Sequence, residues 1–273
     1  FMPFATKLNS IKGLIAIRDA FIQIFPLTFV GSIVVCINVV LLSSTGFIGQ
    51  FLVKLIPNLD DFQAVLAPVG NGTINLMAVF IVFLIARNMA NQYKVDGLKA
   101  GLTALASFFV LYPPKVEGML TDSYLGANGI FVAIIAGLLV GYGFSKLTKV
   151  DKLQIKMPEQ VPPEVAKSFM VAIPSAILII LTSIVSYCIS LIEPAGLNAL
   201  VYAALQAPIQ SLGATPFTPL ILILMAMILW SVGIHGTFTV SPIYLTLYAS
   251  MNIANISYAA QAGTTAGSPY PYT

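Results

Sequence analysis

The sequence predicts an all-α integral membrane protein, a polytopic helical bundle with interfacial amphipathic helices. Of its 273 residues, 58% are hydrophobic and 8% are charged, whereas a typical soluble domain has about 25% charged residues. After Lys167, the only ordinarily charged side chain is Glu193. Such a chain has too few polar groups to cover a globular surface in water, so we expect most of it to face lipid.

Uncharged stretches set the expected number of spans. A helix of about 20 apolar residues crosses a hydrocarbon core of roughly 30 Å. The predicted spans are 21–42, 74–90, 98–112, 129–147, 169–192 and 218–234, and a seventh apolar stretch begins near Val240. No segment alternates apolar and polar residues as transmembrane strands do, so we expect about six to seven spanning helices.

Weaker segments lie between the spans. Apolar residues at three- and four-residue spacing predict an interfacial amphipathic helix over 2–18. Segments 51–62 and 197–212 are candidates for helices at the surface or the bundle edge. Three prolines, Pro158, Pro162 and Pro163, stiffen the loop before the fifth span and bar helix until about Glu164. This loop is either a solvated turn or a rigid connector between two domains.

Loop charges predict the orientation in the membrane. Five lysines lie from the end of the fourth span to the start of the fifth, whereas Glu193 is the single charged residue of the loop after the fifth span. Basic excess alternates from loop to loop in this way, so the positive-inside rule predicts a cytoplasmic amino terminus. The lysines are Lys146, Lys149, Lys152, Lys156 and Lys167.

Interrupted hydrophobic segments indicate where a substrate would bind, because transporters expose backbone groups where helices are broken by Pro and Gly. The three candidates are 67–75, 213–219 and 233–237, and the third contains the single histidine, His235. By contrast, the pairs Gly97/Gly101 and Gly137/Gly141 have the small-x-x-x-small spacing that predicts close helix packing.

Several chemistries are excluded. The net charge of +3 is spread over loops, which argues against nucleic-acid binding. One histidine and the separated Cys36 and Cys188 cannot form a usual zinc site, and the cysteines are expected to be small buried hydrophobic residues. A phosphate-binding Gly-x-x-x-x-Gly-Lys loop and a plausible Ser-His-Asp set are both missing from this sequence. We therefore expect no metal and no cofactor.

The residues around His235 suit a sugar. A neutral imidazole offers one donor and one acceptor to hydroxyls, and the indole of Trp230 offers a face for C–H groups and one N–H donor. The alternatives are a packing hydrogen bond for His235 and a membrane-interface position for Trp230. Arg87 and Asn88, at the end of the second span, either shape the inner cavity or meet lipid headgroups.

Three segments carry a family resemblance. They are F-M-P-F-A-T-K-L-N-S-I-K-G-L-I-A-I-R-D-A-F at the start, M-P-E-Q-V-P-P-E-V-A-K-S-F at 157–169 and L-W-S-V-G-I-H-G at 229–236. In these segments the chain resembles the lactose/cellobiose/diacetylchitobiose family of Enzyme IIC sugar transporters of the bacterial phosphoenolpyruvate-dependent phosphotransferase system. The resemblance covers the whole chain.

The resemblance implies a homodimeric, multi-pass permease of the bacterial plasma membrane. It would bind a disaccharide, move it across the membrane and present it to Enzyme IIB, which receives its phosphoryl group from Enzyme IIA and completes the transfer. Residues 1–157 would form the dimer-interface domain, 158–168 the connector and 169–273 an incomplete sugar-binding domain. We expect His235 to be the catalytic residue, and we expect the sugar-binding residues to be His235, Trp230, Gly233, Gly236, Thr237, Arg87 and Asn88.

Family members continue beyond Thr273, and the acidic residue expected to hold the sugar beside the histidine lies in that continuation. We therefore expect this chain to be cut from a longer one. Two other functions remain open. An ion-coupled secondary transporter would place carboxylates near the midplane, and no Asp or Glu lies within a predicted span. A non-transporting scaffold subunit would bind no sugar.

Overall fold

The computed structural model describes residues 11–113, 120–155, 157–158, 160–201, 204, 215–231, 240 and 248, except for the side chains of 127 and 229–231. Throughout this described part the regular structure is helical, with no β-strand. The helices are α1 Lys12–Cys36, α2 Gly49–Leu52, α3 Gln63–Gly72, α4 Met77–Gln92, α5 Gly97–Val110, α6 Ile130–Leu147, α7 Pro163–Met170, α8 Ala172–Ser190, α9 Leu197–Val201 and α10 Phe217–Ser231.

Helix α4 forms the centre of the bundle and packs against α1, α5 and α6. Its buried apolar side chains recur in adjacent pairs every four residues, so one wide face of the helix is covered by its neighbours. They include Met77, Ala78, Ile81, Val82, Ile85 and Ala86. Helix α8 packs on the outer side, against α5 and α6.

Glycines allow α6 to approach α4 closely. A Cβ atom added at Gly137 would lie 2.9 Å from the Cβ of Ile85, and one added at Gly141 would lie 2.8 Å from the Cα of Ala86. Similarly, a Cβ at Gly101 of α5 would lie 2.6 Å from the ring of Phe83. The prediction that these small residues serve helix packing is confirmed.

The predicted membrane bundle is confirmed. Four helical segments are long and apolar enough to cross a bilayer, and two shorter apolar helices match the third and sixth predicted spans. The long segments are Lys12–Leu42, Leu59–Gln92, Ile130–Leu147 and Pro163–Ser190, and the short ones are Gly97–Val110 and Phe217–Ile228. The seventh stretch, after Val240, lies outside the described residues apart from 240 and 248.

Two predicted boundaries differ from the structure. Helix α1 begins at Lys12 and continues past Arg18 without a break. Residues 12–18 of the predicted interfacial segment are therefore the first turns of α1 and do not form a helix of their own. No Gly or Pro separates Arg18 from the apolar run, and Asp19 forms an ion pair with Arg18 at 2.7 Å inside the helix. Asp19 precedes the predicted first span, 21–42, and lies within the longer helical segment Lys12–Leu42.

The predicted helix over 51–62 is replaced by α2 and a 3₁₀ turn at Leu59–Phe62, because Pro57 interrupts the segment. Of the predicted helix over 197–212, the structure describes α9, and most of the remainder lies outside the described residues. Helix α7 begins at Pro163, as the proline pattern predicts. The prediction that Cys36 and Cys188 are buried is wrong, since both are exposed on helix faces.

Candidate functional site

The helices are arranged so that charges collect at opposite ends of the bundle. The Gln92 side-chain amide at the end of α4 donates to the carbonyl of Lys12 at the start of α1, over 3.0 Å. The Ser186 hydroxyl, late in α8, donates to the carbonyl of Val110 at the end of α5, over 3.0 Å. Helices α5 and α8 are therefore parallel, whereas α1 and α4 are antiparallel.

We call the end that contains Lys12, Gln92 and Leu147 the basic end, and the opposite one the acidic end. Among the described residues, the half of the bundle at the basic end carries nine basic and four acidic side chains. The basic ones are Lys12, Arg18, Arg87, Lys94, Lys99, Lys146, Lys149, Lys152 and Lys167, and the acidic ones are Asp19, Asp96, Asp151 and Glu164. The acidic end has Lys54 against Asp60, Asp61, Asp122 and Glu193.

One capping interaction orders the basic end. The Asp96 carboxylate accepts a hydrogen bond of 3.1 Å from the backbone N–H of Lys99, which caps the amino terminus of α5. Partial burial acts to raise the pKa of Asp96, but hydrogen bonds from the side chain and backbone of Lys99 outweigh it and hold that pKa below 3.8. Asp96 therefore remains a carboxylate at neutral pH.

The first predicted helix break, at 67–75, is present in the structure. Helix α3 ends at Gly72, Thr73 leaves the helical conformation, and a 3₁₀ turn at Ile74–Leu76 leads into α4. The Thr73 hydroxyl donates to the carbonyl of Val69 over 2.6 Å. Gly31 of α1 lies against this break, since a Cβ there would be 2.5 Å from the hydroxyl oxygen of Thr73.

Residues around this break form further hydrogen bonds, one of them to another part of the bundle. The Ala78 N–H in the first turn of α4 donates to the carbonyl of Leu125 over 2.9 Å, and the Asn75 side chain donates to that of Asn71 over 2.8 Å. The loop after α5 is held in turn by Tyr112, whose hydroxyl donates to the carbonyl of Thr121 over 2.8 Å. These internal bonds indicate a packed kink at 67–75.

The structure describes the side chains of two predicted site residues. Asn88 is buried on α4, and its side-chain amide donates to the carbonyl of Ala16 in α1 over 3.3 Å. Arg87, the preceding residue, is exposed. The backbone of Trp230 lies in the last turn of α10. Outside the described residues lie Gly233, His235, Gly236 and Thr237, together with the side chain of Trp230.

The structure has a hydroxyl-lined cleft at the acidic end that the sequence analysis did not predict. It has a volume of about 300 Å³. Its lining consists of Tyr112, Ser183, Ser186, Tyr187, Ser190, Pro194 and Gly196. The three serines recur at three- and four-residue spacing on the apolar helix α8, a polar stripe visible in the sequence. The Ser186 hydroxyl donates to the carbonyl of Val110 and so joins α8 to α5, whereas the Ser190 hydroxyl donates to the carbonyl of Tyr187 within α8.

Comparisons with known proteins identify the family of the chain. The sequence matches the family described as "Phosphotransferase system, EIIC" over residues 18–269. It is 30% identical to the oligo-beta-mannoside-specific EIIC component of Bacillus subtilis (strain 168), over 99% of this chain and 60% of that protein. It is also 30% identical to the cellobiose-specific EIIC component of Geobacillus stearothermophilus, over 90% of this chain and 57% of that protein.

A solved structure has the same fold. The transporter ChbC, the IIC component from the N,N'-diacetylchitobiose-specific phosphotransferase system, superposes with a TM-score of 0.78 at 29% sequence identity. The alignment covers 96% of this chain and 62% of that one. The chain thus spans about 60% of the length of the curated relatives named above. Because the family match extends over most of the sequence and the fold agrees, the chain belongs to the EIIC family of the phosphotransferase system.

Proposed function

We propose that this chain is part of a membrane permease that binds a disaccharide of the cellobiose, diacetylchitobiose or lactose type and moves it across the bacterial plasma membrane. The family match over residues 18–269 carries this proposal. The names of relatives specific for cellobiose and for N,N'-diacetylchitobiose support the substrate class. The sugar would then be presented to Enzyme IIB, which takes its phosphoryl group from Enzyme IIA.

The proposed site lies in the carboxy-terminal third of the chain. His235 would hydrogen-bond the sugar hydroxyl that accepts the phosphoryl group, because phosphoryl transfer depends chiefly on positioning and electrostatics. Trp230 would pack on a sugar face, Gly233 and Gly236 would let the backbone approach the ligand, and the Thr237 hydroxyl would hydrogen-bond it. Arg87 and Asn88 complete the proposed set, although the bond from Asn88 to Ala16 also gives Asn88 a packing role.

Two organisational proposals accompany this function. Residues 1–157 would form the interface of a homodimer, 158–168 the connector and 169–273 part of the sugar-binding domain. The basic end of the bundle would face the cytoplasm, which makes the amino terminus cytoplasmic. The excess of nine basic over four acidic side chains there, against one basic and four acidic at the other end, supports this orientation by the positive-inside rule.

Calorimetry on a purified form that has the full length of the relatives tests the substrate class. Cellobiose and N,N'-diacetylchitobiose are expected to bind, whereas maltose, a disaccharide with the other anomeric linkage, is the control and is expected to bind at least tenfold more weakly. Equal affinity for all three sugars, or no binding of any, would contradict the proposed function.

A second experiment tests the site separately. In the form that has the relatives' full length, we expect His235→Ala to lose about 1–3 kcal/mol of sugar binding, equivalent to a 5- to 150-fold loss of affinity. Trp230→Phe should be milder because a ring face survives. If wild-type protein binds cellobiose and His235→Ala binds it equally well, the sugar function stands and the assignment of His235 is wrong. A lower melting temperature with unchanged sugar affinity would indicate the packing role.

A further inference from the structure

Three lysines surround one tyrosine ring at the basic end. The ammonium nitrogen of Lys12 lies 3.7 Å from the ring centroid of Tyr93, and those of Lys146 and Lys149 lie at 5.6 Å and 5.8 Å. Tyr142 packs edge-on against Tyr93 with ring centroids 5.8 Å apart, and Lys146 lies 5.4 Å from its ring. We call Lys12, Lys146 and Lys149 with these two tyrosines the lysine cluster.

The positive charge of the lysine cluster is not neutralised by carboxylates of the described residues. The ion pairs in the described part of the chain are Arg18–Asp19, Lys99–Asp96 and Lys167–Glu164, and none of them includes a cluster lysine. The rings attract the ammonium groups only weakly, by about 0.5–2 kcal/mol each. Like charges that converge from the first turn of α1 and the end of α6 favour an anion among them.

An apolar groove begins near Leu139, about two helical turns from Lys146, and extends toward the acidic end as far as Leu111 and Leu197. It lies between α6 and α8 and has a volume of about 300 Å³. Its lining includes Ile135 and Leu139 of α6 and Leu178, Leu181 and Val185 of α8. The walls of the groove are almost entirely hydrocarbon. A polar ligand would therefore find almost no hydrogen-bond partners there, whereas an apolar chain would be removed from water.

One face of α6 joins the cluster to the groove. Ile135, Leu139, Tyr142 and Lys146 follow at spacings of four, three and four, which places them in one line along the helix. At 1.5 Å per residue, this line is about 16 Å long. All four side chains are exposed in this structure. The surface therefore has a cationic head and an apolar track of the dimensions of a lipid acyl chain.

We propose that this surface is a binding site for an anionic diacyl phospholipid. The phosphate would lie among Lys12, Lys146 and Lys149, and one acyl chain would follow Tyr142 and Leu139 into the groove. Basic pockets between membrane helices recognise anionic headgroups in this way. A soluble phosphate would use only the cluster and leave the groove empty. The proposal does not depend on the sugar function.

Native mass spectrometry of the purified protein tests headgroup recognition. Phosphatidylglycerol is compared with phosphatidylcholine of the same palmitoyl and oleoyl chains. We expect the anionic lipid to bind at least tenfold more tightly. The double variant Lys146→Gln/Lys149→Gln should weaken it about 25-fold, at about fivefold per lysine. Lys54→Gln/Lys152→Gln removes the same charge from exposed lysines outside the cluster and should change affinity by less than twofold.

Further measurements distinguish this site from other occupants of the same surface. Dihexanoyl phosphatidylglycerol should bind at least tenfold more weakly than the long-chain lipid, and millimolar inorganic phosphate should not displace the latter. Dimer and monomer should carry the same number of lipids per chain. Equal affinity of the two headgroups, equal effects of the two double variants, displacement by phosphate, or loss of the lipid on dimerisation would each overturn the proposal. Melting temperatures verify that both double variants are folded.

Discussion

The side-chain amide of Asn88 in α4 donates a hydrogen bond to the backbone carbonyl of Ala16 in α1, although the two residues are 72 positions apart. Asn88 is buried, and Ala16 is fully buried. Together with the bond from Gln92 to the carbonyl of Lys12, this bond joins α4 to α1. A buried amide that loses its partner costs more than the bond itself contributes.

Asn88→Ala is therefore expected to lower the free energy of unfolding by about 1–3 kcal/mol, because it removes the bond and leaves a small cavity. The measurement is thermal or denaturant unfolding of the protein in detergent. Arg87→Ala is the matched control, since Arg87 is adjacent and exposed, and it should change stability by less than about 0.5 kcal/mol. Equal losses in both variants would contradict the packing role of Asn88.

Gly137→Ala is expected to destabilise the bundle by about 1–3 kcal/mol, because the new methyl group would lie 2.9 Å from the Cβ of Ile85 and 3.0 Å from the carbonyl oxygen of Val82. Gly70→Ala is the control. A Cβ at Gly70, in α3, meets no atom within 4 Å, so this change should be neutral or stabilise by about 0.4–1 kcal/mol. The order of the two unfolding midpoints tests the close packing of α4 and α6.

Asp96→Ala should destabilise α5 by about 0.5–2 kcal/mol through loss of its amino-terminal cap. Folding lowers the pKa of Asp96, so the stability from its charge is fully present above the unfolded pKa and is lost as pH falls through the folded pKa. Asp96→Asn keeps a capping oxygen and should lose less stability at pH 7 than Asp96→Ala. Its stability should also fall less than that of the wild type between pH 5 and pH 2, as measured by unfolding.

Cysteine labelling checks the proposed orientation. In a variant without Cys36 and Cys188, single cysteines replace Lys152 at the basic end and Ala195 at the acidic end; both positions are exposed. An impermeant maleimide is expected to label position 195 in intact cells and position 152 only after lysis. The reverse pattern would place the amino terminus outside.

Local patterns in the sequence predict much of the fold. The uncharged runs give the helices, the glycine spacings give the α4–α6 contact, and the prolines give the start of α7, because each depends on neighbouring residues. The hydrogen bonds around the break at 67–75 could not be predicted in this way. The N–H of Ala78 donates to Leu125, which is distant in sequence and lies in the loop after α5. The lysine cluster likewise joins Lys12, Tyr93 and Lys146, whose proximity exists only after α1, α4 and α6 assemble.

The bond from Ala78 to Leu125 sets a condition on the order of assembly during synthesis. The first N–H groups of a helix have no partner within that helix, and an unpaired N–H in hydrocarbon costs several kcal/mol. Ala78 emerges from the ribosome before all of α5 and the loop that contains Leu125. Until that loop arrives, water at the membrane surface must solvate the start of α4. Helix α4 therefore reaches its final depth only when α5 and the following loop are in place.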